Sequence, residues 1–214
     1  MIYYYWKAEL PKEDCKALIG EFDISSAEEG VTGVHSNQET ETYYPEDIEK
    51  IKKEGEWDYL HNKPKNEGLP NHSIRRTKVN WFPTNHPYNK ILCDYVIKAN
   101  EIQYHYNITK FTPCQFARYN VGDFYDYHQD SAHTPTDYEV ETRKLSMTVQ
   151  LSDPDSYEGG EFCFYNGISE EYEPPIQEQG SIICFDSRMW HRVAPVTKGV
   201  RYSLVSWILG PSFK

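Results

Sequence analysis

The second half of the chain consists of short segments of β-forming residues with only turn residues between them. The segments are 115–119, 124–128, 143–151, 161–165, 181–185, 191–194 and 201–208. Residues typical of turns, mostly Gly, Asn, Asp and Pro, separate them at 120–122, 153–155, 159–160, 180 and 198–199. Many short strands without intervening helices are typical of double-sheet antiparallel folds. The pattern therefore predicts a jelly roll, also called a double-stranded β-helix.

The first half of the chain mixes helical and strand patterns. We predict a strand at 2–6, a helix at 11–20, a strand at 76–82 and a second helix from Pro87 to about Tyr104. Together the two halves predict one α+β domain over residues 1–214. In it, residues 1–110 supply supporting helices and a loop, and residues 111–214 form the jelly-roll core.

Between residues 25 and 73 the sequence is polar and rich in Glu, Asn, Gly, Pro and Lys, and one short helix is predicted at 45–55. The segment 55–73 shows no periodicity. A loop of this length in a compact domain is usually either a lid over a site or a disordered excursion. We expect either a lid or a flexible surface loop here.

Composition and charge limit the functions that are open to the chain. The 214 residues carry a formal net charge of −11 and a sequence pI of about 5.2, which argues against binding of nucleic-acid phosphates. The five cysteines include no Cys-x-x-Cys pair, which indicates reduced thiols rather than a disulfide framework. No signal-peptide pattern or membrane-spanning apolar run occurs in the sequence. We therefore expect a soluble cytoplasmic protein without a nucleic-acid or membrane partner.

The segment 125–130 reads Tyr-Asp-Tyr-His-Gln-Asp and holds two candidate metal ligands. His128 and Asp130 are separated by one residue, so in an extended segment both side chains leave the same face. An imidazole and a carboxylate, joined by a distant second histidine, would form a facial metal site with open positions. His191 begins a predicted strand 61 residues after Asp130 and is the best candidate for the third ligand. His133 is its one rival, because it lies three residues past Asp130.

Arg201 is the candidate anchor for an acidic ligand. It opens an alternating strand in which Arg201, Ser203, Val205 and Trp207 share one face. A guanidinium can hold a carboxylate through two parallel hydrogen bonds, and Ser203 can add a third. Arg201 and Trp207 lie about 20 Å apart along such a strand, which is room for a dicarboxylate, a metal and a substrate in sequence.

These residues carry a family resemblance. His128-x-Asp130, His191 and Arg201 resemble the signature of the iron(II)- and 2-oxoglutarate-dependent dioxygenases. Within that superfamily the chain resembles the prolyl 4-hydroxylases, especially the bacterial and phage-type PKHD hydroxylases. The resemblance covers about 76–211 and includes Gly-Gly-Glu at 159–161 and Trp-His at 190–191.

The resemblance implies a jelly-roll oxygenase with Fe(II) at His128, Asp130 and His191. It also implies 2-oxoglutarate as cosubstrate, O2, and possible use of ascorbate as reductant, with 2-oxoglutarate converted to succinate. The implied cosubstrate residues are Arg201, Tyr119, Ser203 and Gln150. Two positions depart from the family: many prolyl hydroxylases have an aromatic residue where Gln150 stands, and collagen-type enzymes have lysine where Arg201 stands.

The resemblance further implies a proline-containing peptide or protein as substrate. Tyr125 matches the tyrosine next to the target proline, Arg143 matches an arginine of the peptide groove, and Trp207 matches the tryptophan that packs on the substrate ring. The 55–73 loop falls where the family has a mobile lid.

Three alternatives stay open at the level of the sequence. An oxygenase of the same type could act on a free amino acid or another small molecule. A non-catalytic jelly roll could bind a metal through the same triad. A zinc hydrolase could also use His, Asp and His, although it has no need of Arg201 as a dicarboxylate clamp.

Overall fold

The computed structural model describes residues 2–30, 72–82, 85–131, 141–165, 171–172, 174 and 176–212. The helices in this part of the chain are α1 (Lys12–Gly20) and α2 (Pro87–Ala99), with a π-helical turn at Asn100–Tyr104 and a 3-10 turn at Pro154–Ser156. The strands are β1 (Tyr3–Trp6), β2 (Glu28–Glu29), β3 (Arg75–Arg76), β4 (Lys78–Trp81), β5 (Lys110–Phe111), β6 (Gln115–Tyr119), β7 (Phe124–His128), β8 (Glu141–Gln150), β9 (Tyr157–Gly159), β10 (Phe162–Tyr165), β11 (Glu171–Tyr172), β12 (Ile182–Asp186), β13 (His191–Val193), β14 (Val196–Gly199) and β15 (Arg201–Pro211).

Two antiparallel sheets form the body of the fold. The large sheet has the order β1-β12-β8-β15-β6-β4-β2, with β5 paired to β15. The small sheet has the order β11-β10-β13-β7-β3, and β14 pairs with β9 as a separate ribbon. The N-terminal part of the chain contributes strands to both sheets. This arrangement is the α+β jelly roll that the short-strand pattern predicts.

The two faces of the large sheet bury two separate cores. Along β12, Ile182 and Cys184 belong to the core that includes residues of α1 and α2, while Ile183 and Phe185 belong to the core between the sheets. The alternation follows from the period of two in a β-strand. A strand covered on both faces is apolar throughout, which explains the continuous Ile-Ile-Cys-Phe run.

The predicted strand 76–82 is two strands in the structure. β3 pairs with β7 in the small sheet, and β4 pairs with β6 in the large sheet. Thr77 lies between them, is 2% exposed and donates its hydroxyl to the Arg118 carbonyl. This segment therefore crosses from one sheet to the other, which a continuous alternating pattern does not reveal.

The second helix changes character before its predicted end. α2 stops at Ala99, and the π-helical turn ends at His105, whose φ is 55°. The Asn100 side chain accepts from the Tyr106 amide and donates to the Tyr106 carbonyl, both at 2.9 Å. These two bonds satisfy backbone groups that a continuing α-helix would have used.

Five strands have no counterpart in the sequence prediction: β2, β5, β9, β11 and β14. Three of them contain two residues each, too few to show an alternation. The predicted breaks at 159–160 and 198–199 were placed wrongly in part, because Gly159 ends β9 and Lys198 and Gly199 belong to β14. The predicted helix 45–55 and the 55–71 part of the predicted loop lie outside the described residues. Within the described ranges, no helix has the length and apolar character needed to cross a membrane.

Replacing Ile182 by Ala should destabilise the fold strongly. Ile182 is 0% exposed at the centre of the helix-side core, so a cavity remains, and we expect a loss of about 2–5 kcal/mol in the free energy of unfolding. Ile24→Ala makes the same chemical change at a side chain that is 56% exposed and should stay within about 0.5 kcal/mol of the parent. Urea unfolding of both variants without added metal measures the difference, and equal losses would contradict the core assignment.

Candidate active site

Three of the predicted ligands meet at one end of the small sheet. His128 ends β7, His191 begins β13, and the two residues are directly paired in register. Their ring centroids are 4.2 Å apart. One potential ligand atom from each of His128, Asp130 and His191 lies within 4.8 Å of the other two. The rival ligand His133 lies outside the described residues.

Both imidazoles are held with the same nitrogen turned toward the backbone. Nδ1 of His128 lies 2.8 Å from the Asp126 carbonyl, and Nδ1 of His191 lies 2.8 Å from the Met189 carbonyl. A carbonyl oxygen only accepts, so each Nδ1 carries the proton and each Nε2 keeps its lone pair for a metal. Backbone carbonyls commonly orient metal-ligating histidines in this way.

An irregularity in the strand pairing supplies one of these carbonyls. His191 pairs with His128 but Val193 pairs with Tyr125, so Asp126 and Tyr127 oppose only Arg192. This is the arrangement of a β-bulge, which redirects the chain locally. The Asp126 carbonyl that meets the His128 ring belongs to the bulged pair.

Asp130 is fixed by two serines on neighbouring elements. Its amide donates to the Ser187 carbonyl at 2.8 Å, and its Oδ2 accepts from the Ser146 hydroxyl at 2.6 Å. The hydroxyls of Ser146 and Ser187 lie 2.9 Å apart, and both residues are fully buried. The carboxylate therefore has its rotamer set before any metal arrives.

Electrostatics favour the metal-binding forms of two of the ligands. Burial lowers the pKa of His128 well below its ordinary value, and His191 lowers it further, so the ring is neutral at neutral pH. Burial opposes ionisation of Asp130, but the neighbouring His191, His128 and Arg143 side chains and the hydrogen bond from Ser146 outweigh it and lower the pKa of this carboxyl. Imidazole and carboxylate donors with open positions suit Fe(II), and the set of His128, Asp130 and His191 fits that ion.

Arg201 lies inside the fold beside a cavity of about 170 Å³. Its side chain is 2% exposed and its backbone pairs with Tyr119. Nη1 lies 3.4 Å from the Ser203 hydroxyl, while Nε is buried without a hydrogen-bond partner in the part of the chain described. A buried guanidinium N–H without an acceptor is costly, so the cavity fits a carboxylate ligand.

The Gly-Gly motif makes room for that arginine. Gly160 has a φ of +68°, and a Cβ built on it would lie 2.9 Å from Cδ of Arg201. Phe162, two residues on, lines the same cavity, and its ring centroid lies 5.6 Å from that of His191. The cavity and the metal triad thus share a wall.

The three predicted substrate residues surround the triad. The Tyr125 ring stacks on His128 with centroids 3.5 Å apart, and burial raises the pKa of Tyr125 to about 12. The Arg143 guanidinium lies 4.1 Å from the Trp207 ring centroid and donates to the Asp130 carbonyl at 3.2 Å. Gln150 and Tyr119 lie on the Arg201 side, Gln150 in the cavity wall and Tyr119 under the guanidinium at 5.7 Å.

Sequence reasoning missed several residues of the site. Ser146 and Ser187 brace Asp130, Arg75 lies 4.5 Å over the Tyr125 ring, and Trp81 lies 6.1 Å from Trp207 between ring centroids. Trp81 carried no signal in the sequence, because its 46% exposure and its closeness to the buried Trp207 appear only in the structure. Ser146 and Ser187 reach Asp130 only because of how the strands pair in the fold, and a single sequence does not show that pairing.

Comparison with known proteins agrees with this geometry. Residues 114–209 match the family model described as the 2OG-Fe(II) oxygenase superfamily.

Two curated relatives are PKHD-type hydroxylases. The protein from Alteromonas mediterranea is 39% identical over 100 residues, which cover 46% of this chain and 43% of the relative. The protein from Thermosynechococcus vestitus is 37% identical over 97 residues, covering 45% of this chain and 42% of the relative. The aligned part of the chain thus spans less than half the length of these relatives.

Solved structures share the fold over almost the whole chain. A prolyl 4-hydroxylase of Pseudomonas putida superposes with a TM-score of 0.60 at 18% identity, covering 97% of this chain and 91% of the other. A viral collagen prolyl hydroxylase from Paramecium bursaria Chlorella virus-1, solved as a 2OG complex, gives 0.61 at 19% identity and covers 98% and 97%. At these identities the likeness concerns the fold, and it confirms the predicted jelly-roll core.

Ser146→Ala should weaken metal binding without removing a ligand. The Asp130 carboxylate would lose the hydroxyl that sets its rotamer, and loss of such a supporting bond typically costs about 10- to 100-fold in metal affinity. Titration of the apoprotein with Mn(II) measures the change. Ser206→Ala removes a hydroxyl that bonds the Thr112 carbonyl and should leave the affinity unchanged. Equal affinity of Ser146→Ala and the parent would contradict the bracing role.

Proposed function

We propose that the chain is an Fe(II)- and 2-oxoglutarate-dependent dioxygenase that hydroxylates a prolyl residue in a peptide or protein. The observation that carries the proposal is the wall shared by the metal triad and the arginine cavity at Phe162. It allows one dicarboxylate to meet the metal and Arg201 together. A hydrolase or a simple metal-binding module has no use for that combination.

When bound, Fe(II) with 2-oxoglutarate and O2 supplies the oxidation: one oxygen atom enters the substrate C–H bond, the other enters succinate, and CO2 is released. The protein's own contribution is positioning and exclusion of water. His128, Asp130 and His191 hold the metal through Nε2 and carboxylate atoms. Arg201 and Ser203 hold the far carboxylate of the cosubstrate.

Aromatic side chains shield the metal ligands from water. The rings of Phe162 and Phe185 lie 5.6 and 4.7 Å from His191 between centroids, and Tyr125 covers His128. A site closed in this way protects a reactive oxidant from side reactions with solvent. We assign the substrate approach to the side of Arg143 and Trp207.

The substrate proposal rests on this side of the triad. The Trp207 ring, with Arg143 between it and Asp130, suits a small ring carried on a peptide. Two of the structural neighbours are prolyl hydroxylases by name, and a third, from Trichoplax adhaerens, was solved with a peptide fragment of hypoxia inducible factor (TM-score 0.53, 17% identity, 92% of this chain). These likenesses support a peptide or protein substrate. The five cysteines are not joined in disulfides, which supports action in a reducing, cytoplasmic compartment, and ascorbate dependence stays a prediction.

His191→Ala should abolish succinate formation from 2-oxoglutarate and reduce Fe(II) binding sharply, because one of three protein ligands is lost. Anaerobic metal titration and a succinate assay measure both effects. His72→Ala replaces an exposed histidine and should behave as the parent. Full iron-dependent succinate production by His191→Ala would rule out the proposed metal centre.

The substrate class is tested with proline-containing peptide libraries incubated with Fe(II), 2-oxoglutarate and O2. We expect a mass gain of one oxygen atom on proline. Trp207→Ala should lose most peptide hydroxylation while keeping uncoupled succinate formation, because Trp207 lies away from Arg201 on the substrate side. Its thermal melting is recorded alongside, since Trp207 is 6% exposed. Succinate without any modified peptide would point to a small-molecule substrate, and metal binding without succinate would point to a non-catalytic protein.

A further inference from the structure

Tyr157 lies in the wall of the cavity beside Arg201. It is the first residue of β9, which pairs with β14, and it lines the cavity together with Arg201 and Gln150. The position that a Cβ on Gly160 would occupy lies 2.9 Å from Cδ of Arg201 and 3.5 Å from Cε2 of Tyr157. The tyrosine ring and the arginine stem therefore flank the same glycine.

Gln150 fixes the direction of the Tyr157 hydroxyl. Its Nε2 lies 3.2 Å from the Ser152 carbonyl and 2.9 Å from the Tyr157 oxygen. A backbone carbonyl only accepts, so the nitrogen end of the amide must face Ser152. The same nitrogen then donates its second hydrogen to Tyr157.

The Tyr157 hydroxyl can therefore still donate its own proton. A phenol has one hydrogen to give, and here its oxygen already accepts from Gln150. Within the described part of the chain, this hydroxyl has no second hydrogen-bond partner. Its proton is therefore available to a ligand in the cavity.

The pairing of β8 with β15 places Gln150, and with it Tyr157, beside Arg201. Gln150 is paired with Ser203, whose hydroxyl lies 3.4 Å from Nη1 of Arg201, and Gln150 is 2% exposed. The nearest carboxylate of the ribbon, Glu158, is directed away, because it pairs with Lys198 at 2.6 Å and is 63% exposed. The polar groups of Arg201 and of the Gln150–Tyr157 pair are thus donors, as a carboxylate requires.

We propose that Tyr157 is a cosubstrate-binding residue that donates its hydroxyl to the carboxylate held by Arg201, and that Gln150 is a positioning residue that orients this hydroxyl. The inference rests on the proposed function, since it names a further contact for the same dicarboxylate. It also changes the role predicted for Gln150, from direct cosubstrate contact to action through Tyr157.

The test is calorimetric binding of 2-oxoglutarate to Mn(II)-loaded full-length protein, which needs no turnover. Tyr157→Phe should raise the Kd about 10- to 100-fold, the usual size for a hydrogen bond to a charged group. Tyr95→Phe removes a hydroxyl that bonds exposed Glu9 and should leave the Kd unchanged. Mn(II) affinity should be the same in all three proteins.

A second ligand locates the contact. 2-Oxopentanoate keeps the keto-acid end of the cosubstrate but has no far carboxylate. Its competition with 2-oxoglutarate for the parent and for Tyr157→Phe yields its affinity for each. Tyr157→Phe should bind 2-oxopentanoate as the parent does, and an equal weakening for both ligands would overturn the proposed contact.

A double-mutant cycle tests the role of Gln150. Gln150→Met keeps the approximate volume and removes the donor, so it should weaken 2-oxoglutarate binding in the parent and add little in the Tyr157→Phe background. Additive effects would show that Gln150 acts independently of the hydroxyl and would overturn its positioning role.

The outcomes separate this inference from the proposed function. If the parent binds 2-oxoglutarate and Tyr157→Phe binds it equally well, the inference is wrong and the proposed function stands. If the Mn(II)-loaded parent does not bind 2-oxoglutarate, the proposed function fails, and the inference fails with it. Thermal melting of each unliganded variant identifies any that fail to fold. If Tyr157→Phe fails to fold, the Gln150→Met single variant is used to test the inference. An unchanged Kd for 2-oxoglutarate in Gln150→Met would then overturn it.

Discussion

The site depends on one strand pairing, that of β7 with β13. This pairing places His191 directly opposite His128, residues that are 63 positions apart in the sequence. The extra residue in β7 turns the Asp126 carbonyl toward Nδ1 of His128. The same bulge therefore sets the pairing of β7 with β13 and orients the His128 ring. A shift of one residue in this register would turn the histidine to the opposite face of the sheet. The small sheet therefore places the two histidines of the metal centre.

In the large sheet, the long strand β15 positions the other residues of the site. This strand is bonded to β6 on one side and to β8 on the other. Arg201 lies at its start beside the cavity, and Trp207 lies six residues on, paired with Ser146. Because Ser146 also bonds Asp130, the strand that carries Trp207 is tied to the strand that braces Asp130. Bonding on both edges makes these positions rigid, which a site that must hold several partners at once requires.

Much of this arrangement could be predicted from the sequence, for identifiable reasons. The strands 115–119 and 124–128 occur with the predicted bounds, since clear turn residues flank them. His128, Asp130 and His191 meet as expected because the spacing His-x-Asp puts two of them on a shared face and the jelly roll returns the third. Arg201 was predicted because it opens an alternating strand ten residues after His191, on the same face as Ser203 and Trp207.

The rest could not be predicted because it depends on packing. The roles of Ser146 and Ser187 exist only in the folded register, and serine is too common to signal them. The segment 76–82 crosses between sheets at Thr77 although its alternation is unbroken. Burial of Arg75 under a tyrosine contradicts the ordinary preference of arginine for the surface. The Gln150–Tyr157 pair joins two strands across a turn, and no local pattern records it.

The central claim is that one cavity wall joins the metal triad to the arginine, so that a single dicarboxylate reaches both. A crystal structure of the protein prepared anaerobically with Mn(II) and 2-oxoglutarate tests it most directly. We expect a metal bound by Nε2 of His128, Nε2 of His191 and the Asp130 carboxylate. The keto-acid end of 2-oxoglutarate should lie on the metal and its far carboxylate at Arg201. A metal held by other side chains, or a ligand whose far carboxylate lies away from Arg201, would contradict it.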